Sequence, residues 1–548
     1  MRSDFNISPL SKVEAKSFLY QIGNDEYYIR GVFINPNGDQ VPLNKQSLKE
    51  IIIKDSIYEP FLDLKIVLID SDNAFQRTKQ GSGQNLIKGF NYRGDGKDIF
   101  YLEINPIKDA TMKSSINGEL NLEYNNVFSL RNIFACVDEK SIILNGESCK
   151  EITCIDYDKK QLLERKTQYN STYALEDDTL PFSEAAYVAG GVAKPETSPI
   201  FYKDNSERAV PTGKSIRKIL TSTLQKSEDE LFYKSTVKEV VGQSGGFSTN
   251  ERKLITNFED GASKIFYTSD ADSNAYDDIE YLYKYHVSDG NKQAFSYLKK
   301  DYYGGKYTFL SVDNIFKKAV RGGKAGPFML EKLLVTGATS VSENTQTSSP
   351  VPPFQTASFN NKSVIADAKF FNPSFNLIKD KISTKIVHSY DHENKQFNIF
   401  KKDSNMTKAK GKFKEIFTNP INSEYSPSII SSPGLDGNEN YENVYSLYGN
   451  DEVTARSLGV NKLLRNLMAT NLACELTLFG QMFRKAGRFI SVERGNNYKS
   501  NEFDDKFIGI YYILNVSHSF IGNNEYVNKI YAIKTYYNKD LQNIEGLK

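Results

Sequence analysis

Two kinds of hydrophobic pattern divide this chain. From Glu26 to about Ile107 the sequence is strand-like, with β-branched segments such as Leu48 to Ile53 and Asp63 to Ile69 separated by turn signals at Asn37-Gly38 and Gly94-Asp95-Gly96. A second β-leaning stretch runs from Leu120 to about Ile155, and Asp156 to Arg165, with Leu162 and Leu163 amid charge, predicts one short helix. Gly190-Gly191, Pro195, Pro199 and Pro211 then mark a connecting loop. The pattern changes to a helical period after it. Thr212 is the expected N-cap, and Ile216, Ile219, Leu220, Thr223 and Leu224 recur at the spacing of one apolar stripe. Asp277 and Asp278 occupy what should be the first turn of another helix, followed by Ile279, Leu282, Tyr283, His286 and Val287 at the same spacing.

Between Thr336 and Ser358 the composition shifts to Ser, Thr, Gln and Pro, ending in Ser349-Pro350-Val351-Pro352-Pro353, which predicts a linker or long loop. A second polar, turn-rich patch spans Asn419 to Asn450, and Gly459 to Gln481 mixes a Leu-rich amphipathic stretch with a β run. The clearest hairpin lies at Phe507 to Tyr537. There Ile508, Ile510, Tyr512, Leu514, Val516, His518 and Phe520 alternate onto one face, Gly522-Asn523-Asn524 turns, and Tyr526 to Tyr537 returns. The expected class is therefore α+β, β-rich and multidomain, with divisions at 1–110, 111–240, 241–335, 336–425 and 426–548. A length of 548 residues agrees with several domains of about 150 residues each.

Composition narrows the function classes. Hydrophobic residues are 39% and charged residues 25%, the balance of a chain that folds rather than one that stays disordered. Tyr and Phe are abundant, 34 of each, and Trp is absent, as an AT-rich genome encodes. A formal charge of +1 gives no global field to collect nucleic acid or acidic lipid, so sequence-specific nucleic-acid binding is not expected. Of the four cysteines, Cys136, Cys149, Cys154 and Cys474, only Cys149 and Cys154 are near one another, too few for a disulfide framework; assembly in a reducing cytoplasm is the expectation. The start, Met-Arg-Ser-Asp-Phe-Asn-Ile-Ser, has no signal-peptide core, and no run reaches the roughly 18 apolar residues a span needs. Neither signal-directed secretion nor membrane insertion is expected.

Motif by motif, chemistry gains little support. Thr212-Gly213-Lys214-Ser215 matches the end of a phosphate-binding loop, but Arg208 stands where its first glycine should be and Pro211 has no N–H to give; helix initiation explains it. His388 and His392 have zinc-helix spacing, yet Ser389 replaces the glutamate of a metalloprotease helix and Ile386 to Phe400 looks extended, so a surface pair is expected. His286 and His518 lie on apolar faces, where hydrogen-bonded core histidines are usual. Cys149 and Cys154 lack a partnering Cys or His pair and read as buried or partly exposed thiols. Lys408, Lys410, Lys412 and Lys414 alternate as on a guarded strand edge. There is no Gly-x-Ser-x-Gly elbow, and Gly81-Ser82-Gly83 lacks the third glycine of a dinucleotide fingerprint, at Leu86. The 68 acids single out no carboxylate pair. No catalytic, cofactor-binding or metal residue is assigned, and no enzymatic activity or cofactor is expected.

Several segments together resemble the baseplate hub protein of T-even-type and related cyanobacterial contractile-tailed phages. In the first part these are Ile51-Ile52-Ile53-Lys54-Asp55-Ser56-Ile57-Tyr58-Glu59-Pro60, Leu64 to Asp70, and Gly94-Asp95-Gly96-Lys97-Asp98-Ile99. In the middle they are Thr212-Gly213-Lys214-Ser215-Ile216, Lys264-Ile265-Phe266-Tyr267-Thr268-Ser269, Asp277 to Leu282 and His286-Val287-Ser288. Near the C-terminus they are Arg488-Phe489-Ile490-Ser491-Val492, Gly509 to Leu514 and Val516-Ser517-His518. The matches keep their order over most of the chain; 341–358 and the polar region to Asn450 have no counterpart.

The resemblance implies two tail-tube-like β-barrel domains, at 1–110 and 426–548, around an α+β middle. It implies a homotrimer forming a pseudo-sixfold ring that joins tail tube to central spike in the virion baseplate and passes DNA during ejection. Its implied partners are the tube or tube-initiator proteins, the spike, the baseplate wedge proteins and the tape-measure protein. Alternatives are the hub of another contractile injection system, a tail-associated polysaccharide- or peptidoglycan-degrading enzyme, and a receptor-binding adhesin, for which no repeat of 20 to 50 residues speaks.

Overall fold

The computed structural model describes residues 19–22, 25–34, 40–43, 45–69, 96–106, 129–165, 210–225, 255–265, 273–288, 296–302, 307–311, 330–335, 365–371, 386–391, 395–401, 444–447, 458, 472–482, 484–494, 509–522 and 525–534. They are rich in strands, with few helices. The N-terminal strands are β1 (Leu19–Ile22), β2 (Asp25–Ile34), β3 (Gln40–Pro42), β4 (Leu48–Ser56), β5 (Asp63–Ile69), β6 (Ile99–Pro106), β7 (Leu130–Leu144) and β8 (Glu147–Asp156). β4 and β5 coincide with the two β-branched segments. β7 and β8, from the second β-leaning stretch, lie in the same sheet, because β6 pairs with β7 and β8 with β5. They are joined by Asn145-Gly146, at φ values of 52° and 81°. Two consecutive positive φ angles are what a two-residue hairpin needs to match strand twist, and Asn-Gly supplies them.

The middle holds α1 (Tyr157–Glu164), β9 (Val210–Pro211), α2 (Thr212–Leu220), β10 (Ile255–Phe258), β11 (Lys264–Ile265), α3 (Ala275–Lys284), β12 (Ser296–Lys300) and β13 (Tyr307–Ser311). The apolar stripe of α2 is buried, and it continues into a π turn at Thr221–Gln225. Thr212 is not its N-cap. Pro211 holds that position, and Thr212 begins the helix with its hydroxyl turned inward to Ser263 and His286. Gly213 follows because the chain passes against backbone here: a Cβ on it would lie 2.1 Å from the Glu259 carbonyl oxygen. α3 begins at the acids as expected, but its cap is Asn274, which accepts from the Asp277 N–H at 2.9 Å, and His286 and Val287 lie past its end. The helices share one core with β13, in which Leu162, Ile216, Ile219, Leu282 and Phe309 meet.

The C-terminal strands are β14 (Leu330–Val335), β15 (Ile365–Phe371), β16 (Ile386–Asp391), β17 (Gln396–Lys401), β18 (Val444–Leu447), β19 (Ala473–Phe479), β20 (Phe489–Arg494), β21 (Gly509–Ile521) and β22 (Glu525–Lys534). β21 and β22 form the expected hairpin, with one correction. A register shift between Ile513 and Asn515 inserts Leu514, so Val516, His518 and Phe520 share a face with Tyr511 and Ile513 rather than with Tyr512. β16, with His388, pairs with β17 and β18 in a separate sheet; the segment is extended, as its pattern predicts.

The N- and C-terminal strands join in one 14-stranded sheet, ordered β1-β2-β6-β7-β8-β5-β4-β21-β22-β19-β15, with β3, β14 and β20 off this path. The N-terminal strands bend around a core of Ile29, Phe33, Ile51, Ile66, Phe100 and Phe134, into which Phe520 and Tyr526 reach from the C-terminal hairpin. A second core lies between β15, β19, β20, β21 and β22.

Candidate functional site

The place where the three parts of the chain meet is the β4–β21 seam. Seven residues of β21, Asn515 to Ile521, pair with Ser56 to Glu50 of β4. Strand alternation sends Ile51, Ile53, Asp55 and Ile57 inward, all nearly fully buried. An aspartate in this series is costly unless its charge is met. It is met from two other parts of the chain. The Tyr302 hydroxyl donates to it at 2.6 Å, the Ala486 N–H at 2.8 Å, and the Lys299 ammonium pairs with it. Lys299 also donates to the Ser56 and Glu59 carbonyls, at 2.7 and 2.9 Å, and so ties β12 over the end of β4. Burial, with Asp55 beside it, holds the Tyr302 hydroxyl well above the ordinary phenol range and thus as a donor.

The next residue of β12 points the other way. Lys300 reaches Asp156 at 2.7 Å, Asp158 at 2.8 Å and the Asn132 side-chain oxygen at 3.1 Å. Asp156 is also the N-cap of α1, accepting the Asp158 N–H at 2.9 Å, and Tyr307 donates to Asp158 at 2.8 Å. With one buried cation between two buried carboxylates, burial raises the Asp156 pKa against the opposing pull of Lys300. Two consecutive lysines thus fasten β12 to the seam and to the first helix.

A cluster centred on a neutral histidine lies alongside. His518 on β21 takes the Asn528 amide at 2.8 Å and stands 2.8 Å from the Tyr526 hydroxyl; Arg484 and the Gln481 N–H converge on the Asn528 oxygen at 3.1 and 2.6 Å. Burial depresses the His518 pKa to about 3, so the ring is neutral. Lys485, set over the Tyr302 ring at 4.2 Å and 3.4 Å from Asp301, is pulled down to about 8 by burial. His286 is likewise depressed to about 3, with Thr212 at 2.9 Å.

The opposite face of the seam is polar and open. Register aligns Asp63, Lys54, Ser517, Lys529, Thr477 and Asp367 in one cross-strand row, and Ser56, Asn515, Tyr531, Glu475 and Lys369 in the next. A trough of about 610 Å³ runs along them. Both charge signs occur along it, beside the Tyr531 ring.

His286 and His518, read as hydrogen-bonded core residues, are placed so. All four cysteines are buried, and the one in thiol contact with Cys154 is Cys136, not Cys149. His388 is on β16; His392, Lys408, Lys410, Lys412, Lys414 and the 336–358 linker lie outside the described residues. Among the described residues no three metal-ligating side chains cluster, and no helix is long and apolar enough to cross a membrane. Pattern reading missed Asp55, Lys299, Lys300, Asp156 and Asp158. The available signal was an acid in phase with Ile51 and Ile53, and a Lys-Lys pair inside a strand.

No protein-family model matches the sequence, and no curated protein does. Among solved structures, the chain is similar to a tail protein from Neisseria meningitidis, at 8% identity over 92% of this chain and 96% of that one, with a TM-score of 0.41. It is similar to a prophage MuSo2 tail protein from Shewanella oneidensis, at 9% identity over 92% and 98%, with a TM-score of 0.39. A third is an Escherichia coli component of the type VI secretion system, at 7% identity over 90% and 74%, with a TM-score of 0.29. The structural neighbours of the chain are thus phage tail proteins and secretion-system components.

Proposed function

We propose that this chain is a baseplate hub subunit of a contractile phage tail, three copies of which close a ring of six β lobes between the tail tube and the central spike. The observation that carries the reading is the seam. Strands from the two ends of the chain lie edge to edge through β4 and β21, so one subunit supplies two laterally joined β units. A threefold assembly with sixfold-like lobes requires such a subunit. Heterologous contacts between copies would repeat that side-by-side arrangement and close it. The ordered segments of resemblance fall on the strands that build the seam, Ile51 to Ser56 on β4 and Val516 to His518 on β21. The two tube-like units of this reading are wider than 1–110 and 426–548: the first takes in β7 and β8 and the second takes in β15, with the helical middle held to the seam by Lys299 and Lys300. In this reading the protein acts mechanically: its two end surfaces grip tube and spike, and its lumen passes DNA and tape-measure protein. It belongs to the virion tail and assembles in the host cytoplasm.

Light scattering on the purified protein, followed by imaging down the symmetry axis, tests this. Three times the chain mass of 62.1 kDa and a closed ring with six similar lobes are expected. A protein that stays monomeric at high concentration and in the presence of its spike would overturn the reading.

A further inference from the structure

Strand geometry sorts the three cysteines of the β7–β8 hairpin. Cys136 stands directly opposite Cys154, whereas Cys149 stands opposite Ile142. Cys149 and Cys154 are an odd number of residues apart on β8, which puts them on opposite faces of the sheet. Cys136 and Cys154 share the inner face within the N-terminal core, and the Cys154 thiol lies 3.6 Å from the Cys136 sulfur. Directly opposed residues of antiparallel strands have Cα atoms about 4.5–5.5 Å apart, inside the roughly 4.4–6.8 Å range that disulfides adopt. Closing the sulfurs by about 1.5 Å, to a bond of about 2.05 Å, is therefore a side-chain adjustment. A register shift directly after Cys136 inserts Val137, an interruption that gives the strand local play.

We propose that Cys136 and Cys154 are a latent disulfide site, reduced where thiols are kept reduced and closed across β7 and β8 when the protein meets a small-molecule disulfide. One cysteine sulfur attacks the small disulfide, forms a mixed disulfide and releases one small thiol. The second cysteine then attacks the protein sulfur of that mixed bond, releasing the second small thiol. The pair loses two protons and two electrons, and the two released thiols carry them. Burial sets the rate: both side chains are fully enclosed, and the Cys136 thiol is pushed well up by burial and by its contact with Cys154. With thiolate scarce, exchange proceeds through local opening of the hairpin and is slow. The bond would staple two central strands of the N-terminal sheet.

The test uses the full chain equilibrated for days in glutathione buffers of rising oxidised share, without urea and at a urea concentration below the unfolding transition, then acid-quenched, alkylated in full denaturant and mapped by mass spectrometry. The expected result is loss of two thiols and about 2 Da, a single cross-link between the peptides holding Cys136 and Cys154, and faster closure in dilute urea. Cys149 and Cys474 remain alkylatable, a Cys149→Ser variant behaves identically, and Tm rises by several degrees on closure. Four alkylatable thiols after equilibration in both conditions would overturn the proposal, as would a cross-link to Cys149 or a persistent glutathione adduct without closure. Each of those results would make the two thiols packing residues only.

Discussion

On β4, Lys54 and Asp55 are adjacent and oppositely charged, and the pleat sends them into opposite surroundings. Lys54 is exposed in the open polar row, opposite Asp63 on one side and Ser517 on the other. Asp55 is enclosed, and its charge is met by Lys299, Tyr302 and the Ala486 N–H. The outer charges are shared with solvent and cost little to lose. The inner ones are fixed partners drawn from residues 55, 299, 302 and 486, so they bind the two β halves and the middle segment together. One strand therefore separates a face that presents charge from a face that uses charge as a fastener.

The largest effect should come from breaking the inner face. Asp55→Ala leaves the Lys299 ammonium without its carboxylate in a low-dielectric site, and denaturant unfolding should show a loss of about 3–5 kcal/mol. A loss below about 1 kcal/mol would mean that water already reaches the seam. Lys300→Met leaves Asp156 and Asp158 facing each other and should cost about 3 kcal/mol at pH 7. That deficit should shrink toward pH 5. A buried carboxylate whose folded pKa is raised takes up protons before the unfolded chain does, so the folded variant gains as pH falls.

The two buried histidines, in separate sites, should respond to acid in the opposite sense. His286 and His518, each near 3 when folded against an ordinary value of 6.5, bind protons only after the unfolded chain has done so. Their stabilisation is full above pH 6.5 and declines by about 1.4 kcal/mol per pH unit for each ring as pH falls toward 3. Urea midpoints between pH 7 and pH 5 should drop accordingly, and His518→Gln should halve the slope. A flat profile would sink the assignment of both rings as enclosed. The smallest effects belong to partly exposed charges. A double-mutant cycle on Lys65 and Glu151, 2.6 Å apart with side chains 35% and 18% exposed, should give about 0.2–1 kcal/mol, and Lys54→Ala should stay within about 0.5 kcal/mol.

Much of this architecture was legible in local pattern. The β-branched runs became β4 and β5, the stripe from Ile216 to Leu224 became the buried side of α2 and of the π turn after it, and the C-terminal alternation became the β21–β22 hairpin. Local reading failed where a residue's partner is distant. Thr212 looks like a cap, but its hydroxyl serves His286, 74 residues on, and Pro211 takes the terminus. Tyr512 looks in phase with Val516 until a bulge at Leu514 shifts the register. Cys149 and Cys154 look like neighbours in sequence, yet the pleat turns them apart and brings in Cys136.

The sequence by itself determined elements with a strong local period, such as β4, β5, the apolar side of α2 and the β21–β22 hairpin, because a two-residue or 3.6-residue period is a property of neighbouring side chains and their burial. Only the tertiary structure decided that the two β halves share one sheet and that Asp55, Asp156, Lys299 and Lys300 are tolerable inside it. A buried charge is stable only beside its partner, and which partner arrives is fixed by strand pairing between residues hundreds of positions apart, a pairing no local period encodes.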